Sequence, residues 1–379
     1  MKKIFSLSTA FVLFFTACGL HAAADDDISA KAYVLIEAGT GTVIEAGNEH
    51  MKLPMASITK IMSALLTLES GDLDLEFEVD SVAVMEEGSS MGLLPGDIVT
   101  KRALCYGMLL PSGNDAANAS AVSVAGDYAR FARLMNARAA QIGMRRTNFV
   151  TSSGLHAAEH YSTAYDMALL TREALKNEAF KEICSAKSAK LSFGNPPYER
   201  WLTNTNRLLS SLDGCIGVKT GFTDEAGRCL VSAVYKDGVT LICVTLNAPD
   251  DWNDHAKLYQ KGFSSVLAKE IPLNPEGLSV NVVGGDADFV SLTLGHTPRV
   301  TVINGQTPEV TASLITPRFI YAPVTKGDIV GTMRFYSGGN MIDEVTVIAE
   351  GESEAVIIPP KRNLYELIID FVKDLIWKR

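Results

Sequence analysis

The chain has no cluster of lysines and arginines, and its formal net charge is -10. Nucleic-acid binders carry such a cluster, so that class of partner is excluded. Long apolar runs are also missing, and a membrane-crossing helix needs about 20 such residues. The nearest approach is Ile4 to Phe15, behind Met1-Lys2-Lys3. A positive start, a short apolar stretch and Ala22-Ala23-Ala24 before Asp25-Asp26-Asp27 form the pattern of a cleaved export signal. Residues 1–24 are therefore expected to be removed, leaving a mature chain from near Asp25. Phe15-Thr16-Ala17-Cys18 offers a rival reading, a lipoprotein signal with Cys18 modified. Cysteine is otherwise scarce. Cys105, Cys184, Cys215, Cys229 and Cys243 are scattered without metal-type spacing, in apolar surroundings, and are expected to be buried reduced thiols. No metal and no cofactor is expected.

What is present is enough chain for a large core and for more than one domain. From Lys31 to Asn48 apolar and polar residues alternate about Gly39-Thr40-Gly41, a β-hairpin pattern. Helical periodicity then starts at Ser57 and runs to about Glu69, with further helices near Lys101–Leu110, Asp115–Val124 and Tyr128–Ile142. Thr163 and Asp166 have capping-box spacing at the head of a helix through about Leu175. Strand patterns return at Cys215–Gly221, Arg228–Tyr235 and Val239–Asn247, the last two joined by an Asp237-Gly238 turn, and a helix follows to about Leu267. Strands, a helical block and more strands give an α+β fold, helices packed on an antiparallel sheet, over residues 25–270. Residues 271–358 read as a small all-β domain of short alternating runs, with no clustered histidines, cysteines or catalytic-looking carboxylates. After Pro359-Pro360, Leu364, Leu367, Ile368, Phe371, Val372, Leu375 and Ile376 recur at helical spacing. Residues 359–379 are thus expected to form an amphipathic helix lying on a membrane surface, with Trp377 at headgroup level.

Three short motifs occur in order: Ser57-Ile58-Thr59-Lys60, Ser112-Gly113-Asn114 and Lys219-Thr220-Gly221. Each alone is weak; a helix-capping serine, a turn and an exposed strand end would account for them singly. Their combination carries chemistry. A serine hydroxyl needs a base within hydrogen-bond reach, and Lys60 lies one helical turn beyond Ser57 on the same face. Burial and a second cation, Lys219, would depress the Lys60 pKa enough for that task. Ser112 is placed to relay a proton and Asn114 to bond a substrate amide. Lys219, Thr220 and Thr223 offer a cation and hydroxyls suited to a terminal carboxylate, and Gly221 permits close backbone approach.

The three motifs, with Pro54-Met55-Ala56-Ser57, Ser153-Gly154-Leu155-His156, the run His160 to Ala168 and Asn204-Thr205-Asn206-Arg207-Leu208-Leu209, make the chain resemble the D-alanyl-D-alanine carboxypeptidases, the S11 family of low-molecular-mass penicillin-binding proteins. The resemblance covers nearly the whole chain, including the β-rich domain and amphipathic tail. It implies a β-lactamase/transpeptidase-like fold and acyl transfer. Ser57 would attack the D-Ala–D-Ala carbonyl of a peptidoglycan stem peptide, D-alanine would leave, and water would free the enzyme. It further implies an oxyanion hole from the backbone N–H groups of Ser57 and Phe222, acylation by β-lactams, and a place on the outer face of a bacterial cytoplasmic membrane. One departure stands out: no arginine lies between Asn247 and Lys257, where some relatives have one supporting the substrate carboxylate. Thr220 and Thr223 are then the expected contacts.

Three other readings compete. His156-Ala157-Ala158-Glu159-His160 matches a zinc-protease pattern, which requires the histidines on one helix. A β-lactamase would need a glutamate holding a deacylating water, for which Glu159 is the nearby acid. A silent peptidoglycan-binding protein would be expected to have lost Ser57 or Lys60, and both are present.

Overall fold

A computed structural model describes residues 28–272 and 277–356, together with 368, 369 and 373. The export-signal, Cys18 and most of the tail expectations therefore lie outside the described residues. In chain order the elements are β1 (Ala32–Glu37), β2 (Val43–Gly47), a 3-10 turn Ala56–Thr59, α1 (Lys60–Glu69), β3 (Glu76–Glu78), β4 (Ile98–Thr100), α2 (Lys101–Leu109), α3 (Asn114–Ala125), α4 (Tyr128–Ile142), α5 (Ala164–Ala174), α6 (Glu178–Ser185), β5 (Ser188–Gly194), β6 (Pro197–Thr203) and α7 (Leu208–Ser211). They continue with β7 (Cys215–Thr223), β8 (Gly227–Lys236), β9 (Val239–Leu246), α8 (Asp251–Ser265), β10 (Val266–Glu270), β11 (Ser279–Val283), β12 (Phe289–Leu294), β13 (Arg299–Ile303), β14 (Thr311–Ile315), β15 (Phe319–Tyr321), β16 (Ile329–Ser337) and β17 (Asn340–Ala349).

The first layer is an antiparallel sheet in the order β2-β1-β9-β8-β7. It is covered on both faces. Val34, Ile36, Val231, Ile242 and Val244 enter one core with α1, α2, α3 and α5, while Leu35, Val234, Leu241 and Cys243 turn the other way onto Leu258 and Tyr259 of α8. A strand buried on both faces shows an apolar run rather than alternation, as β9 does. The second layer is a six-stranded sheet, β14-β16-β17-β12-β11-β15, around Phe335, Val345 and Val347. Among the described residues the five cysteines are free; Cys105, Cys184, Cys229 and Cys243 are buried and Cys215 is partly exposed.

Helix α4 has the bounds its periodicity predicts, capped by Asp127, whose side chain accepts from the Arg130 N–H, and closed by left-handed Gly143. At α5 half of the capping box forms. Thr163 Oγ1 accepts from the Asp166 N–H, but the Asp166 carboxylate turns to the Arg146 N–H and the Thr147 hydroxyl instead. The last helix of the first layer stops at Ser265, not Leu267, because Val266 onward pairs with β13 in register Val266↔Ile303. Helix α6 and the β5–β6 hairpin had no counterpart in the predicted elements. Strand β10, inside the first expected domain, forms its ladder with a strand of the second, and Asn340 donates to the Thr40 carbonyl across the same junction.

Candidate active site

Ser57 lies in the 3-10 turn that leads into α1, and is half-buried. Lys60, the first residue of α1, is fully buried and makes three contacts through Nζ: Ser57 Oγ at 2.8 Å, Asn114 Oδ1 at 2.8 Å and the Ser153 carbonyl at 2.7 Å. The amide and carbonyl oxygens can only accept. Ser57 Oγ accepts from Nζ as well, and once Nζ gives up one proton its lone pair can face the Ser57 hydroxyl. Burial, with the nearby Lys219 adding to it, holds Lys60 well below the ordinary lysine pKa, while Asp115 pulls the other way. Lys219 is itself brought down to about 7 by burial.

Asn114, at the head of α3, is committed on both sides of its amide, to Lys60 through Oδ1 and to the Glu87 carbonyl through Nδ2 at 2.6 Å. The side chain thus fastens Lys60, and one Nδ2 hydrogen is left for a ligand. Neighbouring Asp115 holds the loop over the site, accepting from the Ser90 hydroxyl and the N–H groups of Met91, Gly92 and Leu93. Ser112 has φ 69°, a left-handed conformation in the turn between α2 and α3. Thr220 Oγ1 lies 2.7 Å from Thr205 Oγ1. The close approach that Gly221 permits is to the serine turn itself: a Cβ there would meet Ser57 N at 3.0 Å. Ser57, Ser112, Thr220, Gly221 and Phe222 line one cleft of about 330 Å³, with Phe222 exposed at its rim. Thr223 is not among the residues lining it; its hydroxyl accepts from the Ala226 N–H and shapes the turn after β7.

The same cleft contains residues to which sequence reasoning gave no role: Ser89, Thr205, Arg207, Arg228, Asp251 and Trp252. Arg228 is directly opposite Phe222 in the β7–β8 ladder. Its Nε and one Nη donate to Asp251 Oδ1 at 3.0 and 2.7 Å, and its guanidinium lies 5.6 Å from the Trp252 ring centre. Asp251, 2% exposed, is pushed up by burial and drawn back by Arg228. The one sequence signal was position: a charged residue near the start of a strand, immediately ahead of a buried run.

The His156–His160 stretch is a loop, not a helix, and both ring nitrogens of His160 are taken, Nδ1 by the N–H groups of Val150 and Thr151 and Nε2 by Thr59 Oγ1. That arrangement does not provide the paired ligands of a helical zinc site. Glu159 is exposed and is not among the residues lining the cleft.

A helix-covered antiparallel sheet, with a serine–lysine pair between helix and strand, defines the class: a serine peptidase of the penicillin-interacting type, followed by a β-rich module. The chain belongs to the D-alanyl-D-alanine carboxypeptidase family, peptidase S11, whose model matches residues 20–250; the penicillin-binding protein 5 C-terminal domain matches 256–355. Among its relatives, the D-alanyl-D-alanine carboxypeptidase DacF of Bacillus subtilis is 33% identical, covering 85% of each chain. DacC of Escherichia coli is 35% identical over 85% of this chain and 83% of that one. The crystal structure of DacD from Francisella tularensis superposes with TM-score 0.62 at 26% identity, over 87% of this chain and 95% of that chain. The Streptomyces K15 DD-transpeptidase gives 0.60 at 32% identity, over 63% and 98%.

Proposed function

We propose that this protein removes the terminal D-alanine of peptidoglycan stem peptides through an acyl-enzyme on Ser57, and that penicillin acylates the same serine. The observation that carries the reading is the environment of Lys60, a buried amine of lowered pKa with its Nζ 2.8 Å from Ser57 Oγ. In this scheme Ser57 Oγ attacks the carbonyl of the D-Ala–D-Ala bond as its proton passes to Lys60. The N–H groups of Ser57 and Phe222 receive the oxyanion. Ser112 relays the proton to the departing amine, D-alanine leaves, and water attacks the ester. Asn114 fastens Lys60 and offers its remaining amide hydrogen to the substrate. Lys219 supplies positive charge behind the site. Thr220 and Gly221 flank the peptide, and Thr223 shapes the turn that carries Phe222. The substrate carboxylate is held by Thr220 together with Arg228, a cation reaching the cleft from β8 in place of one between residues 247 and 257.

The same reading includes export, division into a catalytic unit over 25–270 and a β-rich unit over 271–358, and attachment to the outer face of the cytoplasmic membrane by residues 359–379. Among the described residues no helix is long and apolar enough to cross a membrane. The test combines fluorescent penicillin labelling with mass spectrometry of a pentapeptide ending in D-Ala–D-Ala. Label on wild type, none on Ser57→Ala, and loss of one D-alanine are expected. A Ser57→Ala protein that labels at the wild-type rate overturns the proposal.

A further inference from the structure

The residue before the nucleophile, Ala56, has φ 48°, a left-handed conformation that a Cβ disfavours, so something must hold it. Two features do. The Ala56 carbonyl lies over Gly154, where an added Cβ would come within 2.0 Å of that oxygen. The same oxygen accepts from Thr59 Oγ1 at 2.8 Å, and Thr59 Oγ1 lies 2.8 Å from His160 Nε2. His160 Nδ1 faces two backbone N–H donors, those of Val150 at 2.9 Å and Thr151 at 3.2 Å, so it must be the acceptor nitrogen. The proton is then on Nε2, and a directed chain runs from the His160 Nε2–H to the Thr59 hydroxyl and from that hydroxyl to the Ala56 carbonyl. Ala56, Thr59 and His160 are all buried, so bulk solvent does not reach these links.

The Ala56 C=O and the Ser57 N–H belong to one planar peptide unit. Fixing the oxygen fixes the direction of the N–H. We propose that Thr59 and His160 are positioning residues that aim the Ser57 N–H at the developing oxyanion by clamping the Ala56–Ser57 peptide plane. This rests on the reading of Ser57 as nucleophile and its N–H as an oxyanion donor.

Thr59→Val keeps the shape and removes the hydroxyl; Thr59→Ser keeps the hydroxyl. Loss of a whole oxyanion donor costs about 10²–10³-fold in rate, so a misaimed one should cost roughly 10–100-fold. Thr59→Val, checked as folded by its thermal melt, should lose that much in penicillin acylation and in kcat, with KM within about threefold and weaker binding of a peptide boronic acid, whose tetrahedral adduct needs the same donor. Thr59→Ser should stay within about threefold of wild type. Wild-type acylation by folded Thr59→Val, or a Thr59→Ser protein as slow as Thr59→Val, overturns the inference. Should Thr59→Val not fold, the tautomer of His160 in the wild-type protein decides: ring ¹⁵N shifts are expected to put the proton on Nε2, and a proton on Nδ1 overturns the chain. Labelling of Ser57→Ala separates the two claims. If that variant still labels, the nucleophile is misassigned; if it does not and Thr59→Val is unimpaired, only the clamp is wrong.

Discussion

Replacing Arg228 with Gln tests how the carboxylate end of the substrate is recognised. Two of the five guanidinium N–H groups are spent on Asp251, and the rest remain for a ligand in the cleft that also holds Ser57 and Thr220. A hydrogen bond to a charged group contributes about 1.5–3 kcal/mol, and each 1.36 kcal/mol is tenfold in rate, which brackets the loss at about 10- to 150-fold. The Arg228 side chain is 42% exposed, so solvent screening favours the lower end, about tenfold. The assay is kcat/KM on a peptide ending in D-Ala–D-Ala and on the same peptide with a C-terminal amide. Arg228→Gln should lose about tenfold on the free acid and little on the amide, which carries no charge for the guanidinium to meet. Asp251 loses its partner in this variant, so a lower melting temperature is expected, and adding Asp251→Asn should recover part of the stability without recovering the free-acid rate. Equal losses on both peptides, or none on either, would refute the assignment of Arg228 to the carboxylate.

Lys60→Ala should abolish penicillin acylation, a loss beyond the ~10²–10⁴-fold usual for one acid–base group, because among the described residues no other side chain hydrogen-bonds Ser57 Oγ, whereas Lys219→Arg should retain measurable activity. Complete loss in both, followed by labelling kinetics, would contradict separate roles for the two lysines. Lys219 also ties stability to pH. Its folded pKa, about 7, lies below its ordinary value, so between the two the unfolded chain binds the extra proton and stability should rise with pH, by at most about 1.4 kcal/mol per unit. Urea unfolding of wild type from pH 7 to 9 should show that rise, and Lys219→Met should reduce the slope; an unchanged slope counts against a Lys219 pKa lowered by burial. Deleting Leu364–Arg379 should move the protein from the membrane to the soluble fraction with carboxypeptidase activity on soluble peptide intact, and retention on the membrane would shift the anchor to Cys18.

Periodicity and turn chemistry are local, and where they governed, the sequence was legible. The α4 bounds, the Thr163 cap, the β8–β9 turn at Asp237-Gly238 with both residues at positive φ, and the pairing of Ser57 with Lys60 one turn on all follow from neighbours a few residues apart. Short or amphipathic pieces whose order depends on distant partners were not legible. The β5–β6 hairpin carries mixed polar and aromatic residues with a weak alternation, and β10 reads as the end of a helix until β13 arrives to pair with it.

The sequence by itself determined the chemistry on offer: a serine and lysine one turn apart, two further motifs in order, and an α+β fold to hold them. Only the tertiary structure decided how those groups are used. It buried Lys60 against Asn114 and the Ser153 carbonyl, which are 54 and 93 residues away, and so lowered its pKa. It turned Gly221 toward the serine turn, brought Arg228 into the cleft, and clamped Ala56 through a histidine 101 residues from Thr59. The physical reason is common to all of these: hydrogen-bond direction and desolvation depend on which groups meet after the chain has folded, and residues so far apart leave no spacing in the sequence to announce the meeting.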